Sequence, residues 1–354
     1  MRAARPALDE TIHQQPALLS SVLERSDDTI SSVADALAPA QRVFLSGTGT
    51  NSHAAVVGEH LLRSAGLDAY ATTNFDFVTY PRRLRPDDAV IILTHTGTTR
   101  FGRAALERAD GAGVLTIAVT GEGSPLPHRG MRLEVAPAER SDTYTGSYTA
   151  TLLALAMLAA ATGQRLGQDM SALEAALPRV PEIVSDILAR EDALRPAADR
   201  LNARGRMVLA GAGPNAVTAR EGALKVKESS YLTAEGFELE TLLHGGLQAV
   251  NEGDLAVLIA ADGPAVGRVR DAAGALLTIG ADLLLIADER VAGALPDEAG
   301  IFTYRAVPET LSPIPATVPL QLLAAFAAER RGTNPDNFRY DEPRYREAIE
   351  SFTL

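Results

Sequence analysis

The sequence predicts an α/β protein that contains two copies of one unit, each a parallel sheet flanked by helices on both faces. In the first copy, an apolar strand (42–45) runs into a glycine-rich turn and a helix, and the same order returns at 206–209. The same spacing of 164 residues (211 − 47) relates Gly47 to Gly211, Gly49 to Gly213 and Asn51 to Asn215. Repeated alternation of strands and helices favours a parallel sheet with helices on both sides.

Later segments of the two copies also correspond. The stretch DDAVIILTHTG pairs with EGDLAVLIAADG, and GVLTIAVTGEGSPL pairs with GADLLLIADER. Residues 8–40 keep an approximately helical period, with Pro16 expected in an early turn. The predicted organisation is an N-terminal helical segment (1–27), a first domain (28–165), a helical connector (166–184), a second domain (185–333) and a C-terminal tail (334–354).

Composition excludes several classes of function. The chain of 354 residues has no cysteine, which excludes disulfides and thiolate chemistry, and its net charge of −12 disfavours a nucleic-acid surface. Its six histidines lack metal-binding spacing, so we expect neither a metal site nor a cofactor. We expect no apolar run to approach the length of a membrane span, and no apolar leader at the N-terminus, which favours the cytoplasm.

The stretch 221–246 carries ionisable groups at helical spacing. Glu221, Lys225 and Glu228 fall at i, i+4 and i+7 and therefore share one helix face. His244 follows a second predicted helix, about 234–243, which two glycines would end with a left-handed cap. A carboxylate, an ammonium and an imidazole are the parts of a proton-transfer site. The alternative is a solvated helix face with a histidine satisfied by a helix dipole.

A hydroxyl-rich loop follows a buried strand of the first copy. The apolar run 89–93 leads directly into Thr94, His95, Thr96, Gly97 and Thr99, at an edge where parallel sheets bind ligands. Hydroxyls and backbone N–H groups at a helix start suit a phosphate, although a simple threonine-capped turn is the alternative. The corresponding loop of the second copy, 260–264, lacks hydroxyls. One phosphate site per chain is therefore expected.

The second glycine turn imitates a dinucleotide fingerprint. Gly211, Gly213 and Ala216 fit G-x-G-x-x-A after a strand. That fingerprint requires a second strand ending in an acidic residue about 20 residues on. We expect the chain to stay helical there, which argues against a nicotinamide enzyme.

The run EGALKVKE, followed by AE and then HGG, resembles the signature of the sugar isomerase (SIS) domain family of phosphosugar isomerases. The resemblance implies that Glu228 is the base that moves a proton between sugar carbons C1 and C2. It implies that His244 opens the sugar ring, often from a neighbouring subunit, and that Lys225 lies near the reacting hydroxyl. Glu221 shares the helix face of Lys225 and Glu228 and is a candidate substrate contact.

The resemblance also assigns ligand loops. The family's phosphate loop, Ser-x-Ser-Gly-x-Thr, aligns with Thr94, Thr96 and Thr99, with His95 at the variable position. Further candidate contacts are Asn51 and Ser52 in the first glycine turn, and Thr145 and Ser147 in the segment 141–149. The family's usual glutamate and Ser-Thr-Lys run is not recognisable in that segment.

The tail departs from the aminotransferase members of the family. The resemblance implies that the tail folds over the active site. However, Glu350 stands where the aminotransferase members carry an imine-forming lysine. The nearby Arg346 cannot form an imine at neutral pH. The resemblance therefore leaves three functions open: a deaminase or deglycase of an amino or glycated sugar phosphate, an aminotransferase-like isomerase, and a non-catalytic sugar-phosphate sensor. It also implies a homodimer.

Overall fold

The computed structural model describes residues 6–25, 27–128 and 130–352. They form two compact units, each built around one sheet. The first-sheet unit draws on residues within 15–139, 146–181 and 340–352. The second-sheet unit draws on residues within 6–14, 140–145 and 182–339.

The first sheet has five parallel strands in the order β2-β1-β3-β4-β5. They are β1 (Arg42–Gly47), β2 (Ala69–Thr73), β3 (Asp88–Thr94), β4 (Leu115–Gly121) and β5 (Met131–Ala136). The order reverses beside β1, because β2 lies on one side of it and β3 on the other. The carboxyl ends of β1 and β3 therefore form the crevice at which open parallel sheets bind ligands.

The second sheet repeats this order as β7-β6-β8-β9-β10, again with parallel pairs. Its strands are β6 (Arg206–Gly211), β7 (Thr233–Glu238), β8 (Leu255–Ala260), β9 (Asp282–Asp288) and β10 (Gly300–Tyr304). Every residue of β3 and of β8 is buried, as expected for strands covered on both faces.

Helices connect and cover the strands. They are α1 (Ala7–Arg25), α2 (Asp27–Leu37), α3 (Thr50–Ser64), α4 (Asn74–Thr79), α5 (Arg100–Ala112), α6 (Gly146–Arg165), α7 (Ser171–Ala176), α8 (Val180–Leu188), α9 (Arg195–Arg204), α10 (Pro214–Ser230), α11 (Leu239–His244), α12 (Val266–Ile279), α13 (Pro313–Arg331) and α14 (Pro343–Glu350). In β6, Leu209 packs against Gly222 of α10, whereas Val208 joins a core cluster that includes Leu276 of α12. Helices thus lie on both faces, and the predicted fold class is confirmed.

The duplication extends to backbone geometry. Gly49 has φ 57° and ψ −130°, and Gly213 has φ 53° and ψ −129°. A Cβ atom on Gly47 would lie 2.3 Å from the carbonyl oxygen of Asn51, and one on Gly211 would lie 2.3 Å from that of Asn215. Both turns therefore need glycine for the same steric reason.

Two local predictions were wrong. Pro16 lies inside α1, well beyond its first turn. The rest of the prediction for residues 8–40 is confirmed, since the region is largely helical and forms α1 and α2. The predicted helix at 234–243 is instead the strand β7 followed by the short helix α11.

The expectation about apolar runs also needs correction. Two helical segments, Gly146–Arg165 (20 residues) and Glu309–Arg331 (23 residues), are long and apolar enough to cross a membrane by length and composition. In each, 94% of the apolar window is buried inside the protein. Core helices of this kind meet the same criterion, so the two segments are weak evidence for a membrane span.

Candidate active site

Helix α10 places three ionisable side chains together. It starts at Pro214, where the missing N–H of proline is harmless, and ends before Tyr231, which has a left-handed φ of 59°. The Lys225 Nζ lies 3.3 Å from Oε1 of Glu221 and 2.6 Å from Oε2 of Glu228. The i, i+4, i+7 spacing thus produces one ion cluster, which we call the α10 triad.

The α10 triad is buried, so the alternative of a solvated helix face is wrong. Glu221 and Lys225 are 0% and 1% exposed, whereas the Glu228 side chain is 19% exposed. Burial alone would lower the pKa of Lys225, but the two carboxylates outweigh it and raise the pKa above its usual value. Lys225 therefore stays an ammonium at neutral pH, and Glu228 is the carboxylate of the cluster that reaches solvent.

His244 has a different environment. It is the last residue of α11, its side chain is 79% exposed, and its Nε2 lies 3.3 Å from Oε2 of Glu240. Gly245 has φ −171°, so the predicted left-handed cap is wrong. The His244 imidazole is therefore accessible from solvent, whereas the Lys225 ammonium is enclosed by the protein.

The expectation that the chain stays helical after the second glycine turn was wrong. The strand β7 follows α10 and ends in an acidic residue, Glu238, as a dinucleotide site would require. Glu238, however, accepts hydrogen bonds from the backbone N–H groups of Glu240 (3.0 Å) and Thr241 (2.9 Å) and caps α11. Burial pushes the pKa of Glu238 up, but these hydrogen bonds prevail and lower it. The carboxylate that would bind a ribose is already used as a helix cap.

The hydroxyl loop lies at the crevice of the first sheet, between β3 and α5. A Cβ atom on Gly102 would lie 2.6 Å from Oγ1 of Thr99 and 3.0 Å from Oγ1 of Thr94, so both hydroxyls face this glycine. Thr99 immediately precedes α5, yet its hydroxyl forms no capping hydrogen bond with any described residue. The alternative of a simple threonine-capped turn is therefore not supported.

The rest of this loop is held by its own contacts. Gly97 has φ 67°, its carbonyl accepts from Nε of Arg103 (3.0 Å), and the Thr96 carbonyl accepts from the Ser124 hydroxyl (3.1 Å). The Thr96 hydroxyl accepts from that of Thr98 at 2.8 Å. The first turn of α5 is Arg-Phe-Gly-Arg (100–103), which adds positive charge to the positive end of the helix dipole. This arrangement suits an anion.

The neighbouring turn of the first sheet carries Asn51 and Ser52 at the start of α3. The Ser52 hydroxyl donates to the Gly49 carbonyl at 2.6 Å, and both residues are half-buried. Because β1 and β3 are adjacent, this turn and the hydroxyl loop lie at the same edge of the sheet.

His95 is buried beneath the loop. Burial lowers its pKa, although the charge of Glu139 and a hydrogen bond with the Pro137 backbone oppose the change. A Cβ atom on Gly121 would lie 2.8 Å from Cε1 of His95, so the ring packs against the end of β4. His95 is thus a neutral buried imidazole at neutral pH and brings no positive charge to a phosphate.

The third predicted segment is divided between the units. Thr145 belongs to the second-sheet unit, is fully buried, and accepts through its carbonyl from Nε2 of Gln321 at 3.3 Å. Ser147 belongs to the first-sheet unit, where its N–H donates to Oε1 of Glu139 at 2.7 Å in the first turn of α6. Sequence reasoning missed Glu139; the available signal was a carboxylate ahead of a long apolar helix.

Comparison with known proteins identifies the family. The family model described as "SIS domain" matches residues 36–161 and 200–328, which is most of the chain. The chain belongs to the SIS domain family.

Individual SIS proteins show how far the likeness extends. The glutamine–fructose-6-phosphate aminotransferase [isomerizing] of Pyrococcus horikoshii is 30% identical over 347 residues, covering 93% of this chain and 55% of that protein. The chain spans about half the length of the curated relatives that it matches.

Solved SIS structures share the fold. The C-terminal domain of glucosamine-fructose-6-phosphate aminotransferase from Francisella tularensis has a TM-score of 0.86 at 18% identity, covering 94% of this chain and 99% of that one. Glucosamine-6-phosphate deaminase from Thermotoga maritima has a TM-score of 0.72 at 19% identity, covering 94% and 97%. At these identities the likeness concerns the fold alone.

In this SIS chain the tail begins next to the end of α10. The Tyr231 hydroxyl donates to the Asn334 carbonyl at 2.7 Å, and the Arg339 guanidinium lies 4.7 Å from the centre of the Tyr231 ring. Further on, Glu350 accepts a hydrogen bond from the Tyr340 hydroxyl at 2.6 Å. The position that the resemblance assigns to an imine-forming lysine is thus a carboxylate engaged with a tyrosine.

Proposed function

We propose that this chain binds a phosphorylated sugar and catalyses aldose-ketose proton transfer, coupled to the release of an amine from an amino or glycated sugar phosphate. The observation that carries the proposal is the α10 triad, in which Glu228 combines partial exposure with a fixed, buried ammonium partner. Burying two carboxylates and an ammonium is unfavourable for a helix that serves only stability. A proton-transfer site explains their presence.

In the proposed reaction, Glu228 removes the proton from the carbon next to the carbonyl or imine and returns it to the neighbouring carbon. This step moves the double bond, so the carbon that bears the amine becomes an imine. Water then adds to the imine, and the C–N bond breaks to release the amine and leave a carbonyl. Lys225 supports the step by keeping a positive charge beside the oxygen that becomes negative, and Glu221 holds Lys225 in place.

The phosphate would bind in the hydroxyl loop. Thr94, Thr96 and Thr99 supply hydroxyls, and the basic first turn of α5 supplies N–H groups and charge. We further propose Asn51, Ser52, Thr145 and Ser147 as sugar contacts. His95 supports the loop from below.

For ring opening we propose His244, acting in a homodimer. Its exposed imidazole is suited to enter a neighbouring subunit's site. Light scattering should give the mass of a dimer. Mixing Glu228→Gln with His244→Asn should then restore part of the activity, because one of the two sites in each mixed dimer would combine a native base with a native histidine. Absence of rescue in a proven mixed dimer would place His244 in its own subunit's site.

The alternative function is an aminotransferase-like isomerase, and the observation that favours it is the 30% identity with the Pyrococcus aminotransferase. The carboxylate at Glu350 favours the deaminase or deglycase, because substrates that already carry the amine do not need a lysine there.

The decisive assay measures ammonia or amine release and sugar-phosphate formation from glucosamine 6-phosphate and from a fructosamine 6-phosphate adduct. Glu228→Gln should lower turnover by about 10²–10⁴, whereas the exposed control Glu107→Gln should retain it. Interconversion of hexose 6-phosphates without amine release would favour the aminotransferase-like isomerase. Binding that stabilises the protein without turnover would overturn the proposal in favour of a sensor.

A further inference from the structure

A strongly basic cavity lies at the other edge of the first sheet, away from the hydroxyl loop. It has a volume of about 590 Å³ and is lined by Arg42, Arg82, Arg83, Leu84, Arg85 and Pro86. Arg42 begins β1 and Asp88 begins β3, so this is the amino-terminal edge of these strands, whereas Thr94 ends β3. Four arginines in one cavity are unexpected in a chain with a net charge of −12.

The floor of the cavity is rigid. Arg42 forms two hydrogen bonds with the buried carboxylate of Asp88, at 2.8 and 2.7 Å, and donates a third to the Arg83 carbonyl at 3.3 Å. The backbone N–H of Arg85 donates to the same Asp88 carboxylate at 2.6 Å. One arginine thus satisfies the buried aspartate, and the pair fixes the loop that carries the other arginines.

The remaining positive charge is largely uncompensated. Arg83 and Arg85 are exposed, and within the described chain no carboxylate lies at ion-pair distance from either. Asp87 is exposed next to them and offsets part of their charge. The Arg82 guanidinium lies 5.5 Å from the centre of the Tyr70 ring.

A fifth arginine, Arg108, lies behind the loop that carries these arginines and does not line the cavity itself. Arg108 donates to the Arg82 carbonyl and lies 4.2 Å from the centre of the Phe77 ring. Its Nη1 is buried without a hydrogen-bond partner among the described residues, and burial lowers its pKa. A buried guanidinium donor without an acceptor lacks the anion that such groups ordinarily contact.

We propose that this cavity is a binding site for a small polyphosphate. A polyphosphate offers several charged oxygens along a short chain, and the planar fork of each arginine matches such oxygens. Arg82 also lines a smaller adjoining pocket with Tyr70 and Tyr80, of which Tyr80 is 71% exposed. These rings can stack on a base, so the polyphosphate can be inorganic or that of a nucleotide. The site is independent of the proposed phosphosugar chemistry.

The test is calorimetric titration of the full chain with inorganic tripolyphosphate and, separately, with ATP, both without divalent metal. Arg83→Gln/Arg85→Gln should weaken the binding of both ligands by about a hundredfold, since each of the two lost charged hydrogen bonds is worth about a factor of ten. The control Arg63→Gln/Arg179→Gln removes two exposed arginines of the same unit and should leave binding unchanged. Matching thermal unfolding of the two variants would show that both are folded.

The two affinities show which part of the ligand the cavity recognises. Equal affinities for the two ligands would show that the phosphate chain alone is recognised, whereas tighter ATP binding that Tyr80→Ala removes would assign a nucleotide. Absence of binding by the native chain, unchanged affinity in Arg83→Gln/Arg85→Gln, or an equal loss in the control would overturn the site. Turnover of sugar phosphates is measured on the same samples, so failure of the proposed function is seen separately.

Discussion

Replacing Lys225 by methionine tests whether the α10 triad is a balanced buried cluster. The change removes the ammonium that lies 3.3 Å from Glu221, a residue with no exposed surface. Breaking a buried ion pair by removing one partner destabilises proteins by about 3–5 kcal/mol, because the other charge stays buried. For a chain of this size we expect the thermal midpoint to fall by roughly 4–7 °C at pH 8, because the entropy of unfolding is about 2.1 cal/mol/K per residue.

The loss should depend on pH, with a sign set by Glu221. Without Lys225, burial should raise the folded-state pKa of Glu221 above its unfolded value of about 4.3. The variant should therefore be most stable in acid. It should lose stability as the pH rises from the unfolded pKa of Glu221 through its raised folded pKa. In the native chain, the raised pKa of Lys225 gives stability that is fully present below about 10.4 and is lost only above it.

The assay is thermal unfolding followed by circular dichroism at pH 5 and pH 8. The double variant Glu221→Gln/Lys225→Met should recover much of the loss at pH 8, because no unpaired carboxylate remains at position 221. A single variant that unfolds within about 2 °C of the native chain at both pH values would refute the reasoning, since burial of an unpaired charge must show itself there.

Glu228→Gln should lower kcat for sugar-phosphate turnover by about 10²–10⁴ while binding persists, measured by steady-state kinetics and ligand-induced thermal shift. Gly102→Ala should push the Thr99 hydroxyl aside and raise KM for a sugar phosphate, whereas Gly111→Ala in the same helix, where a Cβ meets open space, should leave KM unchanged; equal effects would contradict the assignment. Because the lowered pKa of His95 disfavours its protonation in the fold, native stability should fall from pH 7.5 to 5.5, and His95→Asn should reduce that slope; an unchanged slope would exclude His95 as its source.

The duplication could be predicted from the sequence because both glycine turns require glycine at the same positions for steric reasons. Gly47 and Gly211 have the same close contact with a carbonyl oxygen, so the repeat shows directly in residue type. Strand β7 escaped prediction for the opposite reason. It lies at the sheet edge and is only partly buried, so its sequence lacks an apolar run. A Cβ on Gly236 would lie 2.5 Å from Cα of Arg220, which shows that packing against α10 overrides the local helical pattern.

The spacing of the α10 triad could be predicted, but its burial could not. Helical periodicity placed the three charges on one face, and the expectation that such a face is solvated is sound for an isolated helix. Helix α13, nearly a hundred residues later, changes this, because it packs against α10 through Leu320 and Gly222. The Ser229 hydroxyl also donates to the Ala324 carbonyl at 3.0 Å. Contacts so distant in sequence leave no local signal.

The two copies of the fold differ at the loop where the first copy binds its proposed ligand. In the second sheet, a Cβ on Gly263 would lie 2.5 Å from the carboxyl carbon of Glu309, so this side chain packs directly on the loop that corresponds to the hydroxyl loop. Burial raises the pKa of Glu309, and the charge of Asp262 raises it further. A carboxylate in that position repels phosphate, which agrees with one phosphosugar site per chain.

A raised pKa also means that ionised Glu309 destabilises the native fold at neutral pH. The stability lost in this way grows as the pH rises from the unfolded pKa through the folded one. Glu309→Gln should therefore unfold at a higher temperature than the native chain at pH 8, and the difference should vanish near pH 4, as thermal melts would show. A lower midpoint for Glu309→Gln at pH 8 would mean that the carboxylate is stabilised in its crevice, and the second copy would then provide a favourable site for negative charge.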